Sequence, residues 1–359
     1  MKGRGEKVVS LAIGDPSMNT PREIIEEAYK SMISGNVHYV SSSGTPDVVQ
    51  AIKNKVARKN AIRAEPENCA FLTTKFSVYA SLVAISDTPF DALIPDPGYF
   101  YREPVILSGG NPIFYPLSDD FSLDMDAIRK RTTPNTKAIL INSPSNPTSK
   151  VLSESELREL YDFCSNRGIY IISDEAYEDL IYEDLKHFSV GSLEETPELV
   201  ISLFSFSKSY CMTGWRAGYV VASKKIMHLL NKFLENTLTC LPPFIEKASA
   251  YALENCESRI YEFKKEFENR RNIILEKIEE IDSLTPNKIE GAFYAFPSYK
   301  LKTGSIDLSK RILQKKNLAL LPGSAFGERG EGRLRLSFSG PVEELEDGMK
   351  RLKDFFDSP

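Results

Sequence analysis

Ser205-Phe-Ser-Lys-Ser-Tyr-Cys-Met-Thr-Gly-Trp-Arg216 follows directly on an apolar run at 199–204 that reads as a buried strand. A single lysine, Lys208, stands among small hydroxyl residues, and Arg216 lies eight positions further on. A lysine leaving a buried strand costs free energy unless it has a covalent or ionic purpose. Ser205, Ser207 and Arg216 are the side chains a phosphate needs. An amine beside a phosphate site points to a lysine that holds pyridoxal phosphate as a Schiff base. The plainer alternative is a solvated Lys/Ser loop after a strand.

The surroundings set this segment in a larger pattern. Short apolar runs at 70–72, 92–94, 138–142, 169–173, 199–204 and 218–221 alternate with helical patterns at 47–59, 154–166 and 224–235. Strands apolar on both faces and separated by helices predict an α/β fold with a mostly parallel sheet covered by helices. The C-terminal part differs. A long helix fits 257–281, with Ile260, Phe263, Phe267, Ile274 and Ile278 on one stripe. Short strands follow at 292–296, 319–321 and 334–338, and a last helix fits 342–356. This is the pattern of a smaller α+β domain. Leu241-Pro242-Pro243 is the expected boundary, because paired prolines interrupt a helix.

A chain of 359 residues exceeds what one core usually supports, which also favours two domains. The net charge of −5 and the absence of a dense basic block argue against nucleic acid or an anionic membrane as partner. No apolar run approaches the roughly 18 residues of a membrane helix, and the basic start at 1–7 leads into no signal-peptide pattern. The five cysteines form no CxxC pair, so neither a disulfide framework nor a zinc site is expected and a reducing cytoplasm is the default. Three histidines make His-based metal or triad chemistry a poor fit, and no metal is expected.

Three buried-strand candidates end in polar groups: Asn142-Ser-Pro-Ser-Asn146-Pro, Ser173-Asp174-Glu-Ala-Tyr177, and Ser205-Phe-Ser-Lys208. In open α/β sheets ligands bind beyond the carboxyl ends of the strands, so these groups converge on one ligand. Taken singly, Asn146-Pro147 also reads as a turn, Asp174 as a helix cap and Tyr177 as a core aromatic.

On these motifs the chain resembles the class I/II aminotransferases, the fold-type-I pyridoxal-phosphate enzymes similar to aspartate aminotransferase. Asn-Ser-Pro-Ser-Asn146-Pro-Thr, Asp174-Glu-Ala-Tyr177, the Lys208 segment with Gly214-Trp-Arg216, Pro322-Gly-Ser-Ala-Phe-Gly327 and Arg335-Leu-Ser-Phe carry the likeness. The resemblance implies a seven-stranded large domain at 40–240 and a small domain from both chain ends, 1–39 and 241–359. It gives Lys208 the cofactor and the Cα proton transfer, and Asp174 the pyridine nitrogen. Asn146 and Tyr177 are then partners of the ring's O3′. Arg216, Ser205 and Ser207 would hold the phosphate, helped by the amides of Lys75, Phe76 and Ser77 at the start of a helix at 77–86. Tyr99 would stack on the ring, with an interior tyrosine as the alternative. Arg335 and the Gly14 amide would bind the substrate carboxylate beside Asn146 and Tyr99. The alternative for Arg335 is a surface charge on an edge strand. Tyr39 would reach the phosphate of a neighbouring subunit, which implies a homodimer with shared sites.

One departure bears on this. The loop before the phosphate helix, which contains a glycine in the family, here reads Thr73-Thr-Lys-Phe-Ser77 without one, and Lys75 is expected to point away from the substrate. The expected activity is transfer of an α-amino group to a 2-oxo acid such as 2-oxoglutarate. Carbon–sulfur β-elimination on the same cofactor and a non-enzymatic binding role remain as alternatives at this level.

Overall fold

The computed structural model describes residues 7–86 and 89–357; the basic start at 1–6 lies outside them. Seven strands form the main sheet, in the order Cys69–Phe71, Gly218–Val221, Val200–Ser205, Tyr170–Asp174, Thr136–Asn142, Asp91–Asp96, Asn111–Pro116. All neighbours run parallel except Gly218–Val221, which is antiparallel to both of its partners. The sheet is buried on both faces. Alternate residues point to opposite faces: Phe71, Phe204, Tyr219 and Val221 pack with the helices Pro46–Asn60 and Pro243–Asn255. Ala70, Leu72, Leu203 and Val220 pack with Thr74–Ile85 and Lys224–Glu235. Period-two alternation with apolar residues on both sides is what makes these strands read as continuous hydrophobic runs.

The edge strand Asn111–Pro116 has no counterpart among the strand candidates. It carries two prolines and leaves most of its residues partly open to solvent, which is tolerable only at an edge and leaves no apolar signature. Where capping signals exist, helix starts are legible: Ser153 and Glu156 form a reciprocal capping box that opens Glu154–Ser165.

Both chain ends contribute to a separate core away from the main sheet. Val9–Ser10 pairs in parallel with Leu318–Ala319. A three-stranded antiparallel sheet places Leu334–Ser337 between Tyr294–Ala295 and Leu321–Pro322. The single strand expected at 319–321 is thus two strands in different sheets. The helices Glu257–Glu279, Ser305–Lys316 and Val342–Phe356 cover this core through Phe267, Ile274, Leu308, Leu345 and Leu352.

The prolines at 242–243 open a helix rather than interrupt one: Pro243 occupies the first helical position, where its missing N–H removes no bond. Ile24 and Ala28 on one side, and Ala248 and Ala252 on the other, belong to the same apolar core as Val48 and Ile52. The packing of the larger unit therefore extends past 40 and past 240.

Candidate active site

Register brings the strand ends together. Asn142 lies opposite Asp174, and Asp174 opposite Leu203, two residues before Ser205. The Asn142 amide donates to the Asp174 carbonyl at 2.9 Å, and its oxygen accepts the Asn146 N–H at 2.8 Å, so the loop folds back over its own strand. Asp174 is only 7% exposed. Its carboxylate accepts from the Tyr101 hydroxyl at 2.8 Å and from the Ala176 N–H at 3.2 Å. Burial pushes its pKa up to about 6, against these two donors.

Lys208 sits in the short helical turn Phe206–Ser209 that follows the sheet strand. Its ammonium donates to the Gly14 carbonyl at 2.8 Å. Burial brings its pKa down to about 8, which places the amine closer to its neutral, nucleophilic form at physiological pH.

An anion site lies beside it. The helix Thr74–Ile85 opens here, three residues earlier than expected, with Thr73 as its cap residue. The amides of Thr74, Lys75 and Phe76 are therefore the free ones. The Ser77 N–H is committed to the Thr73 carbonyl at 2.8 Å, and Ser77 is fully buried with its hydroxyl on that same carbonyl. Ser77, expected as a donor to an anion, thus has both its N–H and its hydroxyl engaged, and the Thr74 amide is free in its stead. No glycine is needed in this loop. Close approach is provided instead by Gly218, where a Cβ would lie 2.3 Å from the Thr74 hydroxyl and 2.7 Å from the Phe204 carbonyl. The Thr73 hydroxyl donates to the Arg216 carbonyl at 2.8 Å, which ties the helix start to the arginine. Ser205 accepts the Ser207 N–H at 3.2 Å.

The facing wall comes from the core that both chain ends build. Arg335 is 3% exposed and lies on the central strand of its sheet, not on an edge. It donates to the Asn146 side-chain oxygen at 3.1 Å and to the Ala12 carbonyl, and its Nε has no partner. Its guanidinium lies 4.5 Å from the centre of the Tyr294 ring. The hydroxyls of Tyr177 and Tyr294 are 2.8 Å apart. At Gly14 a Cβ would come within 2.0 Å of the Tyr294 hydroxyl, so only glycine lets the backbone lie there.

These groups enclose a cavity of about 360 Å³. Lys208, Asp174, Tyr177, Asn146, Arg216, Ser205, Ser207, Tyr99, Lys75, Arg335 and Gly14 all line it. Tyr39 does not; it is 86% exposed. Sequence reasoning missed Tyr101, whose hydroxyl holds Asp174, and Tyr294, which bridges Tyr177 and Arg335. It also missed the Lys75 side chain, which lines the cavity with its ammonium 5.7 Å from the Tyr99 ring centre. A primary amine, a buried carboxylate, an anion site of free amides with an arginine, and an aromatic ring open on one space. That donor set fits pyridoxal phosphate.

Among the described residues, Glu175, Glu178 and His187 form the one group with metal-ligand spacing. Four of its six ligand atoms are engaged within the protein, while one Glu175 oxygen and the His187 Nδ1 are buried without a partner among the described residues. Lys55 and Asn60 bond Glu178, while His187 and Ser189 bond one oxygen of Glu175. No described helix is long and apolar enough to cross a membrane.

Comparison with known proteins agrees with this geometry. Residues 6–352 match the family model "Aminotransferase class I and II". The chain is 38% identical to aspartate aminotransferase of Pyrococcus abyssi, over 96% of this chain and 91% of that protein. It is 35% identical to aromatic-amino-acid aminotransferase 2 of Thermococcus litoralis, over 97% and 91%. The structure of Thermus thermophilus aspartate aminotransferase with maleate superimposes with a TM-score of 0.94 at 27% identity, covering 98% of this chain and 93% of that one. Cofactor-shaped cavity, sheet order and sequence agree: the chain belongs to the class I and II aminotransferases and is a pyridoxal-phosphate-dependent transaminase.

Proposed function

We propose that this aminotransferase takes an acidic amino acid, aspartate or glutamate, as its donor and 2-oxoglutarate as acceptor. The observation that carries this is Lys75. Its ammonium stands at the cavity, over the edge of the site at Tyr99, and it has no carboxylate partner among the described residues. Arg335 is the buried cation suited to an α-carboxylate, and Lys75 is the second cation that a distal carboxylate needs. The aspartate name of the Pyrococcus abyssi relative and the maleate, a dicarboxylate, in the Thermus structure support the same reading.

When bound, the cofactor supplies an aldehyde that captures amines and a ring that accepts electrons from Cα. The protein supplies the rest. Lys208, with its lowered pKa, takes the Cα proton and returns it. Asp174 would hold the ring nitrogen protonated, and Asn146 and Tyr177 would bond the ring hydroxyl. The amides of Thr74, Lys75 and Phe76, with Ser205, Ser207 and Arg216, would hold the phosphate, and Tyr99 would cover the ring face. Arg335 and Gly14 orient the substrate carboxylate.

A homodimer with shared sites belongs to this proposal. Tyr39 lies outside its own cavity, and Ile25, Tyr29, Ile33 and Val37 leave an apolar surface exposed beside it. A large unit at 40–240 and a small one from both ends are proposed as the two domains, with the helices Arg22–Ile33 and Pro243–Asn255 packed on the large unit. Five free cysteines are in keeping with the proposed reducing cytoplasm, and transamination of an amino acid places the protein in amino acid metabolism.

A donor panel against 2-oxoglutarate tests the substrate reading. Aspartate or glutamate is expected to give the highest kcat/KM. Lys75→Ala should lower that value roughly tenfold, the loss of one modest charge pair, and leave tyrosine unchanged. A preference for tyrosine or phenylalanine in the unaltered protein would overturn the assignment.

A further inference from the structure

The segment Pro97-Gly98-Tyr99-Phe100-Tyr101 turns sharply at the end of the strand Asp91–Asp96. The Gly98 N–H donates to the Phe326 carbonyl at 2.8 Å, and the Tyr101 N–H to the Tyr99 carbonyl at 2.6 Å. The turn buries Tyr101 to 1% exposure at the head of the helix Arg102–Leu107. Among the described residues, its hydroxyl is the one side-chain donor to the Asp174 carboxylate. Its ring stands edge-on to Tyr99, with centres 5.4 Å apart and planes at 72°.

We propose that Tyr101 is a positioning residue that sets Asp174 for the pyridine nitrogen and Tyr99 for the ring face. This rests on the reading of Asp174 as the ring-nitrogen partner. A buried carboxylate with no donor drifts toward its neutral form and loses its attraction for a pyridinium. A phenol that keeps its proton opposes that drift by donating to one oxygen, and it fixes the rotation of the carboxyl so that the remaining lone pairs face the cavity. Burial and the nearby Asp174 hold the Tyr101 pKa well above its ordinary value, so it stays a donor throughout the working range. The same ring backs Tyr99, so the two cofactor contacts share one support.

The test compares two compounds on the cofactor-free protein: pyridoxal 5′-phosphate and its carba-analogue, in which CH replaces the ring nitrogen. Equilibrium dialysis gives both dissociation constants for wild type and Tyr101→Phe, which keeps the ring against Tyr99. Wild type is expected to prefer the natural cofactor. Tyr101→Phe should weaken pyridoxal phosphate roughly tenfold, the scale of a hydrogen bond to a charged group, and leave the analogue unchanged. Equal weakening of both compounds would mean a merely structural role and overturn the proposal. On an Asp174→Asn background, Tyr101→Phe should leave the ratio of the two constants unchanged; a further change there also overturns it. If wild type itself does not distinguish the compounds, the ring-nitrogen reading of Asp174 fails first, and the proposal for Tyr101 falls with it.

Discussion

The two walls of the cavity hold their charges in opposite ways. On the sheet wall, Asp174 is served by a side-chain hydroxyl and a backbone amide, and its strand end is braced by Asn142. On the facing wall, Arg335 rests on a backbone carbonyl and a neutral amide oxygen, with one nitrogen unpartnered and no carboxylate opposite among the described residues. Burial accordingly lowers the Arg335 pKa. A guanidinium out of water without an anion is destabilising until a ligand provides one. The first wall is complete without substrate, as a resident cofactor requires. The second is left short of an anion, as a transient carboxylate requires.

The largest expected effect separates these walls. Arg335→Ala should lower kcat/KM for amino and oxo acids roughly 10²–10³-fold, the loss of a buried charge partner, while the affinity of the cofactor-free protein for pyridoxal phosphate stays within about twofold. Equal losses in both measurements would erase the distinction. A smaller effect sharpens the sheet wall. Asp174 is ionised above about pH 6 and protonated below it. Glu175 pushes that value up, while Tyr101 and Lys208 pull it down. Below this pH, binding a protonated ring must expel a proton. The preference for pyridoxal phosphate over its carba-analogue should therefore fall about tenfold per pH unit below the inflection and stay flat just above it. Tyr101→Phe should move the inflection upward. A preference flat from pH 5 to 7 would contradict the titration of Asp174.

How much of this the sequence reveals depends on the residue. Strand-end polar groups are legible because each follows an apolar run that must be buried: Asn142, Asp174 and Lys208 stand out by contrast. Arg335 is legible for the same reason. Tyr101 is not, because a tyrosine between a turn and a helix looks like any core aromatic until its hydroxyl partner is placed. Lys75 is misjudged because the helix start at Thr74 carries no side-chain cap signal, and a shift of three residues sets its side chain, still exposed, at the mouth of the cavity. The expected Ser77 donor fails through the same shift. The edge strand Asn111–Pro116 escapes because prolines and solvent exposure erase the period-two pattern.

The central claim is that Lys208 carries the cofactor. Borohydride reduction of the holoprotein followed by peptide mapping tests it directly, because reduction fixes the lysine–cofactor linkage permanently. The phosphopyridoxyl group should appear on the peptide containing Lys208 and on no other; its recovery on Lys75 or any other lysine, with Lys208 unmodified, would contradict the account.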